Sequence, residues 1–339
     1  SILDIAKRAG VSKSTVSRVI NGGSVSPSTK ELVEQTMAEM GYSPNYMARA
    51  LRGVHTNVVG ILSLGSSMFK CQPIARRIAG ISDTLWENDC DLMIVNDSLQ
   101  HTAASYVPKY VRYLQEQRIQ GLITLGWDDL PEVQQAANRF RNVVYGGERQ
   151  QLNRGFRVYH GNYYYSSDLY SLLVANGHTR ILTLIGFDAV EEQFRKARMR
   201  AWECVCIQNG IEYAPSSFYP TVTDASFTLD YLDRLYNFFK KGQYTAIFAD
   251  ELNHASSILY YFKERGLRCP EDFSIVTIKR DDSEERFISS VYVSDYDYGV
   301  LITKLMLEVI ENHDLEYRDI MMPYSLEMRR SVGKCPGQG

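Results

Sequence analysis

A cluster of polar side chains on one short segment near the start of the sequence has the chemistry to contact nucleic acid. Lys13, Ser14, Ser17 and Arg18 recur on one side of a predicted helix over Lys13–Ile20. Lysine and arginine donate hydrogen bonds to guanine and phosphate oxygens, and serine hydroxyls are adaptable partners. This spacing favours DNA binding, although a three-helix surface with ordinary solvated charges is the alternative.

Three predicted helices would present this segment. Apolar residues recur at helical spacing up to Gly10, Ser12 is a good N-cap for the second helix, and Ser26 followed by Pro27 begins a third. The predicted inward residues of the third helix are Leu32, Val33, Met37 and Met40. Two short helices joined by a turn that contains glycine indicate a helix-turn-helix, whose second helix can enter the major groove.

Charge is distributed unevenly along the chain. The 339 residues contain 37 Lys and Arg against 40 Asp and Glu, a formal net charge of −3. Residues 1–53 hold seven basic and four acidic side chains, a net charge of +3, whereas the other 286 residues hold 30 and 36, a net charge of −6. A small basic head on an acidic body is typical of a protein in which one module meets a polyanion.

Composition narrows the class of protein. An apolar content of 45% and a charged content of 23% are ordinary for a globular protein, and no apolar run approaches the ~18 residues of a membrane span. The N-terminus lacks the pattern of a secretory signal, and the six cysteines include no Cys-x-x-Cys pair. We therefore expect a cytoplasmic protein without a metal or other cofactor.

After Gly53 the sequence alternates short apolar runs with amphipathic segments. Predicted strands begin with Val58–Leu64 and predicted helices with Ile74–Glu87, and a later helix is predicted over Ser167–Ala175. Strands separated by single helices indicate an α/β fold with parallel sheets, whose ligand sites lie beyond the carboxyl ends of the strands. The sequence contains no dinucleotide fingerprint, phosphate-binding loop, zinc-protease motif or serine-hydrolase motif.

Two other classes of protein fit parts of this pattern. A sugar-modifying α/β enzyme with an attached DNA-binding head would need a catalytic acid, base or metal cluster, and no motif supports one. A solute-binding transport component would need a secretion signal and would not carry the head. Turnover of a bound sugar by the purified protein would favour the enzyme.

The identities of the residues in the head are more informative than their helical spacing alone. Its residues read LDIAKRAGVSKSTVSRVINGG, followed by VSPSTKELVEQTMAEMGYSPNYMARAL. This stretch closely resembles the headpiece of LacI/GalR-family bacterial transcription regulators, with their D-[IV]-A-x-x-A-G-V-S-x-x-T-V-S-R-V-[IL]-N and G-Y-x-P-N-x-x-A-x-x-L patterns. The resemblance continues more weakly along the chain. It implies a small all-α helix-turn-helix headpiece followed by a two-lobed, periplasmic-binding-protein-like α/β domain with parallel sheets.

The resemblance implies DNA contacts on and around the second helix. Lys13 and Ser14 fall on the family's two variable base-reading positions, and Arg18 falls on its DNA-contacting arginine. The other contacts implied here are Ser12, Thr15, Ser17 and Asn21. Hydroxyl groups and amides at a helix N-terminus are suited to holding phosphates.

A second DNA contact is implied at Asn45–Leu51. This segment corresponds to the family's hinge helix, which folds when two copies pack side by side on the operator. Asn45 begins the segment, Ala48 matches the minor-groove contact, and Leu51 matches the leucine wedge that kinks the duplex.

The resemblance also implies domain boundaries. The headpiece is expected at 1–43, the hinge helix and linker at 44–56, the effector-binding and dimerisation domain at 57–332, and a tail at 333–339. The N-lobe would take about 57–157 and 292–321, and the C-lobe about 158–290 and 322–332. No leucine heptads follow residue 332, so we expect a homodimer.

An effector site is expected between the two lobes. Arg198 falls on the family's effector-binding arginine, and its guanidinium fork suits vicinal hydroxyls or a carboxylate. Asp250 follows a predicted strand and can accept hydrogen bonds from sugar hydroxyls. Lys279 replaces the family's commonest effector-binding aspartate, unless a two-residue slip gives Asp281 that place. Weaker candidates near strand ends are Trp127, Asp128, Ser66 and Phe69.

Together, these patterns predict a DNA-binding transcriptional repressor that is not an enzyme. It would bind a pseudopalindromic operator as a homodimer. A small effector between the lobes, a sugar or a sugar phosphate, would alter the separation and folding of the two hinge helices. A lysine in place of the effector-binding aspartate favours an acidic or phosphorylated ligand. No membrane partner is expected.

Overall fold

The computed structural model describes residues 2–20, 23–40, 56–63, 72–97, 107–125, 139–148, 155–186, 192–221 and 227–337. The chain divides into two compact units, Ser1–Asn57 and Val58–Gly339. We call the first unit the head and the second the body.

The head is built from helices α1 (Ile2–Ala9), α2 (Lys13–Ile20) and α3 (Pro27–Glu39). Its core consists of Ile5, Ala6, Ala9, Val16 and Val33. The predicted helices are confirmed, but the prediction that Leu32 points inward is wrong, since 47% of that residue is exposed. On α3 it is Val33 and Thr36, three residues apart, that face the core, and Leu32 lies one residue outside that stripe.

The body contains two sheets, each with six strands among the described residues. The first sheet contains β1 (Val58–Ser63), β2 (Asp91–Asn96), β3 (Gly121–Leu125), β4 (Val143–Gly147), β5 (Phe156–Tyr159) and β11 (Asp319–Met321). The second contains β6 (Ile181–Ile185), β7 (Phe218–Pro220), β8 (Ala246–Ala249), β9 (Ser274–Lys279), β10 (Ser289–Tyr292) and β12 (Ser325–Glu327). The prediction of an α/β fold with parallel sheets is confirmed.

The strand order is β11-β5-β4-β3-β1-β2 in the first sheet and β12-β10-β9-β8-β6-β7 in the second. Neighbouring strands are parallel except β10 and β12, which pair antiparallel. The chain leaves the first sheet after β5, returns after β10, and crosses once more between β11 and β12. Three neighbouring connections therefore join the sheets, and polar residues beside these connections are candidates for a ligand site.

Helices separate the strands in the body. They are α4 (Gln72–Glu87), α5 (Lys109–Gln115), α6 (Asn162–Ala175), α7 (Glu192–Asn209), α8 (Leu229–Lys241), α9 (Leu252–Glu264) and α10 (Asp295–Glu311). The start predicted for α6, Ser167, is five residues too late. The extra first turn has little apolar periodicity, and it is held by a carboxylate distant in sequence: both oxygens of Glu148 accept from the backbone N–H of Asn162, at 3.2 and 3.3 Å.

Helices α4 and α10 cross with almost no space between their backbones. A Cβ atom built on Gly80 would lie 2.1 Å from the carbonyl oxygen of Tyr296, and one on Gly299 would lie 2.1 Å from that of Arg77. At the same crossing, Arg77 Nε donates to Asp295 Oδ1 at 2.8 Å, and both side chains are buried. The two glycines therefore allow the approach that brings this ion pair together.

We expect Gly80→Ala to destabilise the body, because the added methyl group would collide with backbone rather than with a movable side chain. Overpacking of this kind costs about 1–3 kcal/mol. Urea unfolding followed by tryptophan fluorescence measures the loss, since Trp202 is buried in the body and becomes exposed on unfolding. Ser82→Ala changes an exposed residue of the same helix and should have little effect; equal stability of the two variants would contradict the close crossing.

Candidate functional site

The second helix of the head begins with a cluster of hydroxyl groups. The backbone N–H of Thr15 donates to Ser12 Oγ at 3.1 Å, so Ser12 caps α2. The same oxygen lies 2.7 Å from Ser14 Oγ and 2.8 Å from Thr15 Oγ1. At the other end, the N–H of Gly23 donates to the carbonyl oxygen of Arg18 at 2.8 Å. Both ends of α2 are thus capped by hydrogen bonds.

One face of α2 is exposed and positively charged. Ser12, Lys13, Ser14 and Arg18 are exposed, while Val16 is buried in the core of the head. The described ion pairs of the head are Arg8 with Glu39 and Lys30 with Glu34, and neither includes Lys13 or Arg18. The structure brings together the predicted DNA contacts on this helix, with Thr15 and Ser17 half-buried beside them.

Several predicted site residues lie outside the described residues. In and after the head these are Asn21, Asn45, Ala48 and Leu51, and in the body Ser66, Phe69, Trp127 and Asp128. Their roles stay predictions. The candidate body site is therefore described from Arg198, Asp250, Lys279, Asp281 and the groups that they contact.

Arg198, on α7, is buried and has a hydrogen-bond donor without a partner among the described residues. It is 4% exposed, and its Nε has no hydrogen-bond partner among the described residues. Its guanidinium carbon lies 5.6 Å from the ring centre of Phe248, on β8. A buried donor without a partner is costly, so such a group marks a place where a ligand or water can bind.

Asp250 directly follows β8 and is buried beside Arg198. Its Oδ1 lies 2.8 Å from Nδ1 of His254, whose ring stacks on Phe227 at 4.1 Å. Burial raises the pKa of Asp250, but the hydrogen bonds from His254 and Thr221 and the positive charges of His254 and Arg198 together hold that pKa below its usual range. Asp250 is therefore an ionised acceptor, and one of its oxygens is already occupied.

Lys279, at the end of β9, has an ion-pair partner within the protein. Its Nζ lies 3.1 and 3.0 Å from the two carboxylate oxygens of Glu327, on β12, and 4.9 Å from the ring centre of Tyr292. Arg329 also pairs with Glu327, at 3.1 Å. The structure thus engages this lysine in a protein ion pair, which lowers the charge that it could offer to a ligand.

Asp281 likewise has protein partners. Arg76 Nη2, on α4, donates to Asp281 Oδ2 at 2.5 Å, and Ser283 donates to Oδ1 through its N–H and its hydroxyl. Because β9 and α4 belong to different halves of the body, the ion pair of Arg76 and Asp281 joins those halves. Asp281 was the alternative acceptor predicted for a sugar hydroxyl. Arg76 would therefore compete with a sugar for this carboxylate.

Sequence reasoning missed a polar network at the first connection between the sheets. Glu148 Oε1 accepts from Asn162 Nδ2 at 2.5 Å, and the Tyr165 hydroxyl donates to Asn162 Oδ1. Arg280 hydrogen-bonds the same Tyr165 hydroxyl. Burial and the charge of Glu148 raise the pKa of Tyr165 to about 12, against the opposing charges of Arg280 and Arg198. Glu148 and Arg280 directly follow strands β4 and β9, and Asn162 begins the helix that comes after β5. Their positions beyond the strand ends are the signal that could have found them.

His160 lies at the same connection and was also missed. It is fully buried, its ring stacks on Tyr298 at 4.2 Å, and the edge of Phe194 lies 6.2 Å from it. Neither ring nitrogen has a hydrogen-bond partner among the described residues. Burial and the charges of Arg77 and Arg280 hold the pKa of His160 well below its usual range, so the ring is neutral at pH 7.

The described part of the chain has no group of three or more His, Cys, Asp or Glu side chains placed to hold a metal ion. It also has no helix with both the length and the hydrophobicity that crossing a membrane requires.

Comparisons with known proteins agree with this organisation. Residues 1–45 match the bacterial regulatory proteins of the lacI family, and residues 170–332 match the periplasmic binding protein-like domain. Catabolite control protein A of Priestia megaterium is 23% identical over 98% of this chain and 99% of its own. The HTH-type transcriptional repressor PurR of Vibrio atlanticus (strain LGP32) is 24% identical over 98% of each chain.

Solved structures share the fold. A lac repressor dimer bound to operator and the anti-inducer ONPF has a TM-score of 0.78 and 22% identity, over 98% of this chain and 99% of that one. A complex of the transcriptional regulator CelR with cellobiose has a TM-score of 0.63 and 23% identity, over 98% and 99%.

The head with its exposed basic helix, the two-sheet body and the related regulators over the whole chain together define a DNA-binding transcriptional regulator. More narrowly, the chain belongs to the LacI family of bacterial regulatory proteins.

The pKa of Asp250 gives the body a specific dependence on pH. Because this pKa is lower in the folded protein than in the unfolded chain, ionised Asp250 stabilises the fold above pH ~4, and the contribution is lost as the pH falls through the folded value. Urea unfolding should show Asp250→Asn less stable than wild type at pH 5, with a smaller difference at pH 3.

The matched control for that experiment is Asp230→Asn. Asp230 is an exposed aspartate that pairs with Arg234, so its replacement should change the free energy of unfolding little at either pH. A difference between Asp250→Asn and wild type that stays constant from pH 5 to pH 3 would show that folding does not lower the pKa of Asp250.

Proposed function

We propose that this LacI-family regulator binds a pseudopalindromic operator as a homodimer and represses transcription under the control of a small ligand in the body. The relatives named as repressors support the direction of regulation, and the operator-bound dimer of the lac repressor supports the assembly. A two-fold dimer presents two copies of α2, which is why a pseudopalindrome is the expected target. The expected location is the cytoplasm.

The DNA-binding part of the proposal is supported by the exposed face of α2. Lys13 and Arg18 carry the positive charge, and Ser12 and Ser14 offer hydroxyls at the helix N-terminus, where backbone N–H groups favour phosphate. The hinge segment Asn45–Leu51, with Ala48 and Leu51 in the minor groove, completes the proposed contact with DNA.

The ligand-binding part is carried by the unpartnered Nε of buried Arg198. Phe248 and Asp250 lie beside this guanidinium, and His160 with its two unpartnered ring nitrogens lies against Phe194, one turn earlier on α7. Such an apolar site with a few convergent polar groups is typical of a small-molecule site. The CelR complex with cellobiose supports a sugar or a sugar derivative as the ligand.

We propose that the ligand controls DNA binding by changing the relative orientation of the two lobes, which are joined where the chain crosses between the sheets. We infer that the first and second sheets belong to the N-lobe and the C-lobe. The predicted boundaries at 158 and 290 fall inside β5 and β10, so we place the crossings after those two strands and the third between β11 and β12, near 322. A ligand that binds one relative orientation of the lobes better than another shifts their equilibrium, and through the hinge segments it changes operator affinity. Coupling free energies of this kind are about 1–3 kcal/mol, or roughly 5–150-fold.

We expect Arg18→Ala to weaken operator binding by about 10- to 100-fold, since it removes a charge-assisted contact on an exposed residue without disturbing the head's core. Sites selected from random DNA and fluorescence anisotropy at several salt concentrations measure the effect. The slope of log affinity against log salt should also become shallower.

Lys30→Ala is the matched control, because Lys30 lies on α3 and already pairs with Glu34. Its affinity should stay within a few-fold of wild type. If Arg18→Ala and wild type bind with the same affinity and salt slope, or if the intact protein selects no DNA site at low salt, the proposed interface is wrong.

A further inference from the structure

Two consecutive arginines of α4 have carboxylate partners in different halves of the body. Arg77 Nε donates to Asp295 Oδ1 at 2.8 Å, and Asp295 begins α10, which packs on the first sheet. Arg76 Nη2 donates to Asp281 Oδ2 at 2.5 Å, and Asp281 follows β9 of the second sheet. The first pair therefore lies within one half of the body, whereas the second pair joins the two halves.

The two ion pairs differ in burial. The side chains of Arg77 and Asp295 are 7% and 0% exposed, while those of Arg76 and Asp281 are each 35% exposed. Separating a buried pair leaves charges without compensation in the interior, whereas water can solvate both groups of a partly exposed pair. The pair of Arg76 and Asp281, which we call the interlobe pair, can therefore break and re-form while the body stays folded.

The carboxylate of Asp281 is oriented by bonds within its own half of the body. Its Oδ1 accepts from the N–H and the hydroxyl of Ser283, at 3.2 and 2.5 Å. The next residue, Asp282, accepts from the hydroxyl of Tyr292, on β10 of the same sheet. These bonds leave Oδ2 for Arg76, so the acceptor of the interlobe pair is positioned without help from the other half.

The donor of the interlobe pair is held by the other half. Helix α4 crosses α10 closely where Gly80 and Gly299 meet, and the bond of Arg77 to Asp295 lies at the same crossing. Helix α10 in turn packs on β3, β4 and β5 of the first sheet. Because each partner of the interlobe pair belongs to a different half, the distance between their charged groups depends on the relative orientation of the halves.

We propose that the interlobe pair stabilises one relative orientation of the two halves and thereby sets the operator affinity of the protein before any ligand binds. This rests on the proposed function, in which the orientation of the lobes controls DNA binding. An ion pair that forms in one orientation and breaks in another shifts the equilibrium between them by its own free energy. For a partly exposed pair, that shift is about 2- to 5-fold.

The operator affinity of the full chain without ligand, measured by fluorescence anisotropy on a site selected from random DNA, tests the proposal. Arg76→Met and Asp281→Asn should each change this affinity by about 2- to 5-fold and in the same direction, because each removes the same pair. The double variant should show the change of one single variant rather than the product of both. Arg76→Glu, which places like charges opposite each other, should give a larger change in that direction.

Arg286→Met is the matched control. Arg286 pairs with Glu284 in the loop that also contains Asp281, but both of its partners in that pair are exposed and belong to the same half of the body. Its replacement removes an arginine from an ion pair without removing a bond between the halves. The operator affinity of this variant should therefore equal that of wild type.

Three results would overturn the role of the interlobe pair, each for a different reason. If Arg76→Met and Asp281→Asn lower the temperature of thermal unfolding but bind the operator as wild type does, the pair is only structural. If Arg76→Met weakens binding and Asp281→Asn strengthens it, the cause is the general attraction of DNA for positive charge. If wild type itself selects no DNA site, the proposed function fails, and the role of the pair fails with it.

Discussion

Charged groups buried in the body must be compensated, and much of the body is arranged to meet that requirement. Arg77 and Asp295 form a buried pair at the crossing of α4 and α10, and the crossing is close enough only because Gly80 and Gly299 have no side chains. Tyr298, one turn along α10, lies with its ring 5.0 Å from Arg77 and stacks on His160. The ion pair of Arg77 and Asp295 therefore helps to hold Tyr298 in place, and Tyr298 in turn contacts His160 of the candidate site.

The need to compensate buried charge distinguishes charged groups that are bonded within the protein from those that are left to bind a ligand. Lys279 and Asp281 lie at the end of the strand that ought to face a ligand, yet each has a partner within the protein. Arg198 is as deeply buried as Lys279, and its Nε is without a partner among the described residues. Uncompensated polarity of this kind lowers stability, and proteins retain it where a ligand completes the network.

Local patterns predicted the fold well and the site less well. The apolar run that begins at Val58 predicted the start of β1 correctly, because buried parallel strands are continuous hydrophobic runs. The start of α6 was predicted too late because its first turn is held by Glu148, 14 residues before Asn162, and not by an apolar pattern of its own. Glu327 as the partner of Lys279 and Arg76 as the partner of Asp281 depend on crossings between the sheets, which periodicity does not encode.

The ligand role proposed for Arg198 requires that its guanidinium is left uncompensated so that a ligand can complete its bonds. Unfolding of Arg198→Met, with and without glucose 6-phosphate, tests this most directly. Because the wild-type guanidinium is not fully bonded, the variant without ligand should remain within about 1 kcal/mol of wild type or exceed it, while the stabilisation by ligand disappears. A loss of several kcal/mol without ligand, together with an unchanged response to it, would contradict the claim.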